Sequence, residues 1–514
     1  YLIIALIGLS APSFSDSMLD FSPTDSGSGK ELLKSASTAI TSVNGVYRSM
    51  WTAGWSTTAN THQCFGIAAY NLALDCMADD LIMQSQGNGW FWGDHCYNVK
   101  SNYTSSAFRS YDVWYANYKW IANVNYIIDA EPEMAGTEAD VAYVAGQAYA
   151  IRALCYLNLA TWFSRAPYNS LTGASRWNEP CVPVYTTGTS IDTGGQPRES
   201  LRTVYGRIDQ DIDRAIELLE KARETTLAEN NKSHINLYVA LGIKSRACLA
   251  EGDWDGAFKA AKRVIDEGGY AVGTKSDLTS GMNSLDKQNV MWGAGIQVAD
   301  QAGGYAGFFT HMDNKEGAYA KSAPKLISKQ LYNRISATDI RRDWWDPSDK
   351  ESPYVSKKFS FANVASFLGD YIYMRVEEMY FTAAEAALRL DDLKSARELM
   401  NTVMAERDPG YSANNRSGTL LGATTTTWTG SFLENILTHR RIELWGEYGR
   451  LFDVRRLGQG IDRRTDDGFS EECISMMNRR NVNITKADTY DWVLTIPKAE
   501  LDANPNINEE DQNP

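Results

Sequence analysis

No stretch of the 514-residue sequence reaches the roughly 18 to 20 consecutive apolar residues that a membrane-spanning helix needs. A basic stripe is also missing: 50 Lys and Arg against 64 Asp and Glu leave a net charge of −14, which argues against nucleic acid as a partner. Histidine is scarce, and the five present (His62, His95, His234, His311, His439) form no H-E-x-x-H pair. The seven cysteines include no C-x-x-C and, being odd in number, cannot all pair within one chain. G-x-S-x-G, G-x-G-x-x-G and the P-loop are absent. The run Ser26-Gly27-Ser28-Gly29-Lys30 approaches the last, but it lacks the first glycine and places Glu31 where a hydroxyl would hold metal, so it reads as linker. His62 with Cys64, and His95 with Cys96, offer two donors each without a partner cluster and read as packing. No cofactor is expected, with a structural Ca2+ left open.

What the chain does have is aromatic surface: 15 Trp and 27 Tyr. Such rings fill cores, and when exposed they suit ligands with apolar faces, such as sugars or peptides. With 43% hydrophobic and 22% charged residues, the chain has the composition of a folded globular protein. Helical periodicity rich in Ala and Leu marks 141–163, 204–223, 237–249, 254–265, 375–390 and 393–405. Between these lie Gly-, Ser- and Thr-rich spans at 164–200, 268–320 and 408–430, too long for simple connectors and therefore expected to be functional surface. Cys155 and Cys248 sit among apolar helical positions and read as buried thiols.

An internal repeat emerges at an offset of 139 residues. Ala247, Leu249, Asp253, Ala257 and Val264 fall on Ala386, Leu388, Asp392, Ala396 and Val403. Each copy reads as helix, tight turn and second helix, the logic of tetratricopeptide-like pairs. The fold class expected is mainly α, a scaffold of such pairs with long inserted loops and a few short strands. A scaffold of this kind binds more often than it catalyses.

The segment Tyr1–Leu9 is apolar and leads through Ser10, Ala11, Pro12 and Ser13 into a polar stretch, the pattern of a signal peptide clipped at its front. Leu9-Ser10-Ala11 fits a bacterial lipoprotein signal, but Pro12 stands where the acylated Cys belongs, so the chain as written offers no thiol to lipidate. Residues 1–25 are therefore expected to be signal remnant and tether, and 26–514 one domain.

Several ordered motifs in the last third carry a resemblance. Arg375, Glu378 and Ala384-Glu385-Ala386 form one; Arg440, Arg441, Glu443, Leu444, Glu447, Arg450, Asp453, Arg455 and Arg456 form a second; Ile496-Pro497, Glu500, Asn504-Pro505 and the terminal Gln512-Asn513-Pro514 close the chain. Together with Leu19–Asp25 and Asn44–Tyr47, they resemble the SusD/RagB family of surface nutrient-binding lipoproteins. One departure is Tyr448-Gly449, where the family has Gly directly after Glu. Arg440, Glu443, Glu447, Arg450 and Asp453 recur at three- and four-residue intervals, so the spacing predicts one helical face bearing a structural charge network.

The resemblance implies a non-catalytic protein at the outer face of the outer membrane that captures oligosaccharides and delivers them to a SusC-like TonB-dependent transporter. Relatives are held by an N-terminal lipid anchor. An oligopeptide-binding member of the same architecture is the alternative, and a surface glycosidase a third reading, for which Asp79, Asp80 and Asp94 near Trp90 and Trp92 would be the carboxylates to inspect.

Family ligand residues lie in variable loops, so the candidates come from this chain's own aromatics. Trp90, Trp92 and Asp94 follow a Gly-Asn-Gly turn that should leave them accessible, the two indoles on one side if the loop is extended. Tyr305, Phe308 and Phe309 form a second aromatic loop, and Trp344 and Trp345 a third. Trp114, Tyr115, Tyr118 and Trp120 read as helical packing.

Overall fold

A computed structural model describes residues 29–52, 61–97, 108–190, 192–228, 232–297, 306–487 and 489–514. The Tyr1–Leu9 run, the Leu19–Asp25 motif and Tyr305 lie outside them.

Helices dominate, and several of them start at a side chain that holds a free amide group. We number the major ones α1 Ala36–Ser49, α2 Ile67–Met77, α3 Phe108–Ala130, α4 Glu138–Phe163, α5 Leu201–Lys221, α6 Leu237–Glu251 and α7 Trp254–Glu267; they continue as α8 Val376–Arg389, α9 Leu393–Ala405, α10 Phe432–Glu443 and α11 Arg450–Leu457. Thr137 caps α4 by accepting from Asp140 N–H, Ser200 caps α5 from Thr203, and Asn236 caps α6 from Tyr238 and Val239. Along α5, Leu201, Val204, Tyr205, Ile208, Ile212, Ala215 and Leu219 are buried, an apolar stripe at helical spacing.

From α3 to α7 each helix packs on the next, α7 packs on α8, and α8 on α9, giving a stacked scaffold. The repeat read from the sequence is real in structure. α6 ends at Gly252 in the left-handed region and α8 ends just before Asp391, also left-handed. Asp253 and Asp392 then cap the following helices, accepting from Gly256 and Ser395 N–H at 3.0 Å. Ala257 and Ala396 are fully buried, where a small side chain lets paired helices approach closely.

Strands are few. β1 Leu81–Met83, β3 Lys325–Ile327, β4 Trp345–Asp346 and β5 Val355–Ser356 form one antiparallel sheet in the order β1-β3-β5-β4; β2 Val290–Ala294 pairs with β6 Tyr371–Arg375. Most buried apolar side chains from Ala36 to Ile507 form one cluster, with two small satellites around Leu249 and Ala257 and around Ile82 and Phe469. All seven cysteines are buried free thiols. No helix among the described residues is long and apolar enough to cross a membrane.

Candidate functional site

The charges of the two motifs are held apart from any open surface. Glu443 accepts from three guanidinium groups, Arg341, Arg375 and Arg407, at 2.9 to 3.0 Å. Burial opposes ionisation, but Arg407 and Arg375 hold the Glu443 carboxyl well below its usual range. Arg440 and Arg456 share Asp453 at 2.8 and 2.7 Å, and Arg456 also binds Glu385. The expectation of one helical face is corrected here. α10 ends at Glu443, and α11 starts at Arg450 after a turn with Gly446 and Gly449 both at positive φ. The charges therefore meet across a bend rather than along a stripe. Tyr448, the residue that departs from the family pattern, lies under the Arg246 guanidinium, 4.2 Å from its ring centre.

The carboxylates singled out for glycosidase chemistry are equally occupied. Arg441 binds both Asp79 and Asp80 at 3.0 and 2.6 Å, and Arg450 Nε reaches Asp79 at 3.2 Å. Asp94 is fully buried in a bidentate pair with Arg109 at 2.8 and 2.9 Å, while Arg109 also donates to Gln63 O. Among the described residues, no group of three or more His, Cys, Asp or Glu is arranged to hold a metal ion.

Most of the aromatic candidates also turn inward, a correction to their expected exposure. Trp92 is 3% exposed because the preceding loop curls instead of extending: Gly87, Gly89 and Phe91 all take positive φ, and residues 92–95 form a helical turn. Phe308 and Phe309 are buried against each other and Tyr371, with the Phe309 ring occupying the space that a side chain at Gly369 would need. Trp344 and Trp345 are 2% and 1% exposed; Trp344 donates its indole N–H to Leu278 O at 2.8 Å and Trp345 packs edge-on against Trp445. Large apolar rings beside β-strand and 3-10 turns found more free energy in burial than flanking glycines could offset.

Trp90 alone among the described candidates is half-buried rather than buried, with its indole N–H turned inward. It stacks on His62, centroids 4.8 Å apart and planes within 17°, and Tyr319 meets its edge at 6.0 Å. His62 is itself fixed, since Tyr319 Oη lies 2.6 Å from its Nδ1 and His311 Nε2 lies 2.6 Å from its backbone oxygen. Behind them, burial and the Lys325 charge hold the His311 imidazole well below its usual range, so it is neutral at pH 7. Gln84, Gln86 and Asn88 beside Trp90 are exposed. The result is a pinned indole in a chain segment with exposed amide side chains, of which Asn88 already accepts from Ser322 Oγ.

A second aromatic surface escaped the sequence reading. Trp120 does pack inside, but Trp114, Tyr115 and Tyr118 line, with Tyr185, a cleft of about 300 Å3 along α3, Tyr115 and Tyr118 being half-buried. The α3 residues looked like core because Tyr and Trp at helical spacing carry the same pattern inside or at a groove. Tyr185 lies in the 164–200 span expected to be functional surface, but only the fold brings it opposite Tyr118, their ring centroids 5.8 Å apart.

The described residues thus form a helical-pair scaffold with partly exposed rings at Trp90 and along α3. Residues 319–514 match the model of the SusD family, and residues 38–249 match that of a family described as starch-binding, associating with the outer membrane. Taken with the fold, these matches place the chain in the SusD/RagB family. Among solved structures, a SusD-like carbohydrate binding protein from Bacteroides vulgatus is 25% identical, with 93% of this chain and 98% of that one covered and a TM-score of 0.73. A SusD superfamily protein from Bacteroides thetaiotaomicron is 22% identical, covering 93% and 100%, with a TM-score of 0.74. Surface glycan-binding protein A from Bacteroides uniformis shares the fold at 16% identity, covering 93% and 99%, with a TM-score of 0.65. No curated protein matches the chain.

Proposed function

We propose that this chain captures glycan oligosaccharides at the outer face of the outer membrane and passes them to a SusC-like TonB-dependent transporter, without covalent chemistry. The observation that carries the reading is the Trp90 platform. A partly solvent-exposed indole, fixed by His62 and Tyr319, offers an apolar face to the C–H side of a sugar ring. The neighbouring amides of Gln84, Gln86 and Asn88 offer partners for its hydroxyls. Support comes also from family membership and from the carbohydrate- and glycan-binding names of the structural neighbours.

Because the ring is already held, little side-chain freedom is lost on binding, while the small contact area of a single ring keeps the affinity modest. Release to a transporter needs that modesty. The test is titration of the full chain with a panel of oligosaccharides and peptides, read by intrinsic Trp fluorescence and calorimetry. Saturable binding of one glycan class, weakened in Trp90→Ala, is the expected result. A response to peptides alone would replace the saccharide reading. Co-purification with the outer-membrane transporter expressed beside it checks the hand-off.

A further inference from the structure

We infer that the cleft along α3 is a second saccharide site, one that takes a neutral sugar unit and shares no residue with the Trp90 platform. The inference rests on the reading of this chain as a saccharide-binding protein, and it concerns a different part of the surface. The platform is built from residues 61–63, 84–90 and Tyr319. The cleft is built from α3, from Tyr185, Thr189, Ser190 and Thr193, and from the short helix Lys498–Ala503.

Hydrogen bonds and ring contacts hold its walls rigid. Tyr118 Oη donates to Pro183 O at 2.7 Å, and the Trp114 indole N–H reaches Glu500 Oε2 at 3.3 Å. Tyr185 Oη accepts from Gln196 N–H at 3.0 Å, and its ring meets Tyr118 edge-on at 89°. Tyr115 lies parallel to Tyr111, planes within 10°. Three chain segments thus hold a set of rings in fixed orientation, the pre-organisation that spares a ligand the cost of ordering them.

The chemistry of the lining selects the ligand. Thr189, Ser190 and Thr193 place three hydroxyl groups at the rim, and the Thr193 and Ser190 oxygens already accept from backbone N–H groups, at 2.8 Å from Ser190 and 3.3 Å from Asp192. Each hydroxyl hydrogen remains able to donate. The two charged lining residues, Lys119 and Glu500, are opposite in sign. An anionic sugar gains from one and is repelled by the other, whereas a neutral sugar uses the lysine as donor and the carboxylate as acceptor. About 300 Å3 is at the lower bound of small-ligand sites and suits one or two sugar rings rather than a long chain.

The test is hydrogen–deuterium exchange on the full chain with neutral gluco-, manno-, xylo- and galacto-oligosaccharides, and with oligogalacturonate as the acidic control. Expected is protection of residues 111–122 and 184–196 by at least one neutral sugar. It should survive Trp90→Ala and weaken about tenfold in affinity in Tyr115→Ala. Ser190→Trp, an exposed position that fills the cleft without touching the core, should abolish it while leaving the melting temperature unchanged. Protection confined to 84–92 would overturn the second site and leave glycan capture standing. Protection of the cleft with no response at 84–92 would support the second site and remove the Trp90 reading. Protection by oligogalacturonate alone would overturn the neutral assignment, as would silence of the cleft toward every neutral sugar.

Discussion

Arg375 and Glu447 meet in a two-pronged ion pair, Nε to Oε2 at 2.7 Å and Nη2 to Oε1 at 2.9 Å. They come from motifs 72 residues apart, so this contact fastens the start of α8 to the turn between α10 and α11. The same guanidinium reaches Glu443 at 3.0 Å. The motif residues are thus the means by which distant helices are locked together.

Breaking that lock should be costly. Glu443→Gln removes a countercharge shared by three buried guanidinium groups, which keep only Asp339, Glu377 and Glu447 between them, and the expected loss is about 3 kcal/mol. Asp255→Asn, in an exposed pair with Lys259 on α7, should cost no more than about 0.5 kcal/mol. Denaturant melts of both variants decide it; similar losses would mean that the buried network is not the fastening described.

Trp90 and Trp92 should separate cleanly despite their spacing. Trp90→Ala is expected to weaken oligosaccharide binding about tenfold with little change in stability. Trp92→Ala should cost about 3 to 5 kcal/mol through the cavity it leaves. Calorimetry and thermal melts on the two single variants check both. Equal thermal losses would show that Trp90 is core after all.

Asp75 supplies a pH dependence. Burial pushes its carboxyl up to about 8, against the Arg450 N–H that donates to Oδ1 at 2.7 Å. From about pH 4 to pH 8 the native state keeps a proton that the unfolded chain has released. This group's contribution to stability therefore falls as pH rises, by up to about 1.4 kcal/mol per unit, and levels off above about 8. Asp75→Asn keeps an acceptor oxygen but cannot ionise, so its melting temperature relative to the parent should climb between pH 5 and pH 8. A constant difference across that range would remove Asp75 as the source.

The repeat makes a paired prediction. Asp253→Ala and Asp392→Ala each remove the N-cap of a second repeat helix and should each cost about 1 kcal/mol. Because the two caps lie at different turns, the double variant should lose the sum within about 0.5 kcal/mol. Chemical denaturation of the three variants measures it.

The sequence by itself determined most of the scaffold helices, the turns inside the repeat and the family. Those features are local: a period of 3.6, an Asp after a left-handed turn, or a motif in a fixed order needs no distant partner to be recognised. It also determined that the charged motif is structural, although it placed those charges on one helix that Gly446 and Gly449 in fact bend. Which aromatic rings face solvent was decided by tertiary structure alone. Trp90, Trp92, Trp344 and Tyr115 differ little in local sequence cues, yet Trp90 and Tyr115 meet solvent while Trp92 and Trp344 lie in the core. Exposure depends on what packs against a side chain, and the packing partners, His62 and Tyr319 for Trp90, Arg109 for Asp94, Tyr185 for Tyr118, arrive from segments that only the folded chain brings together.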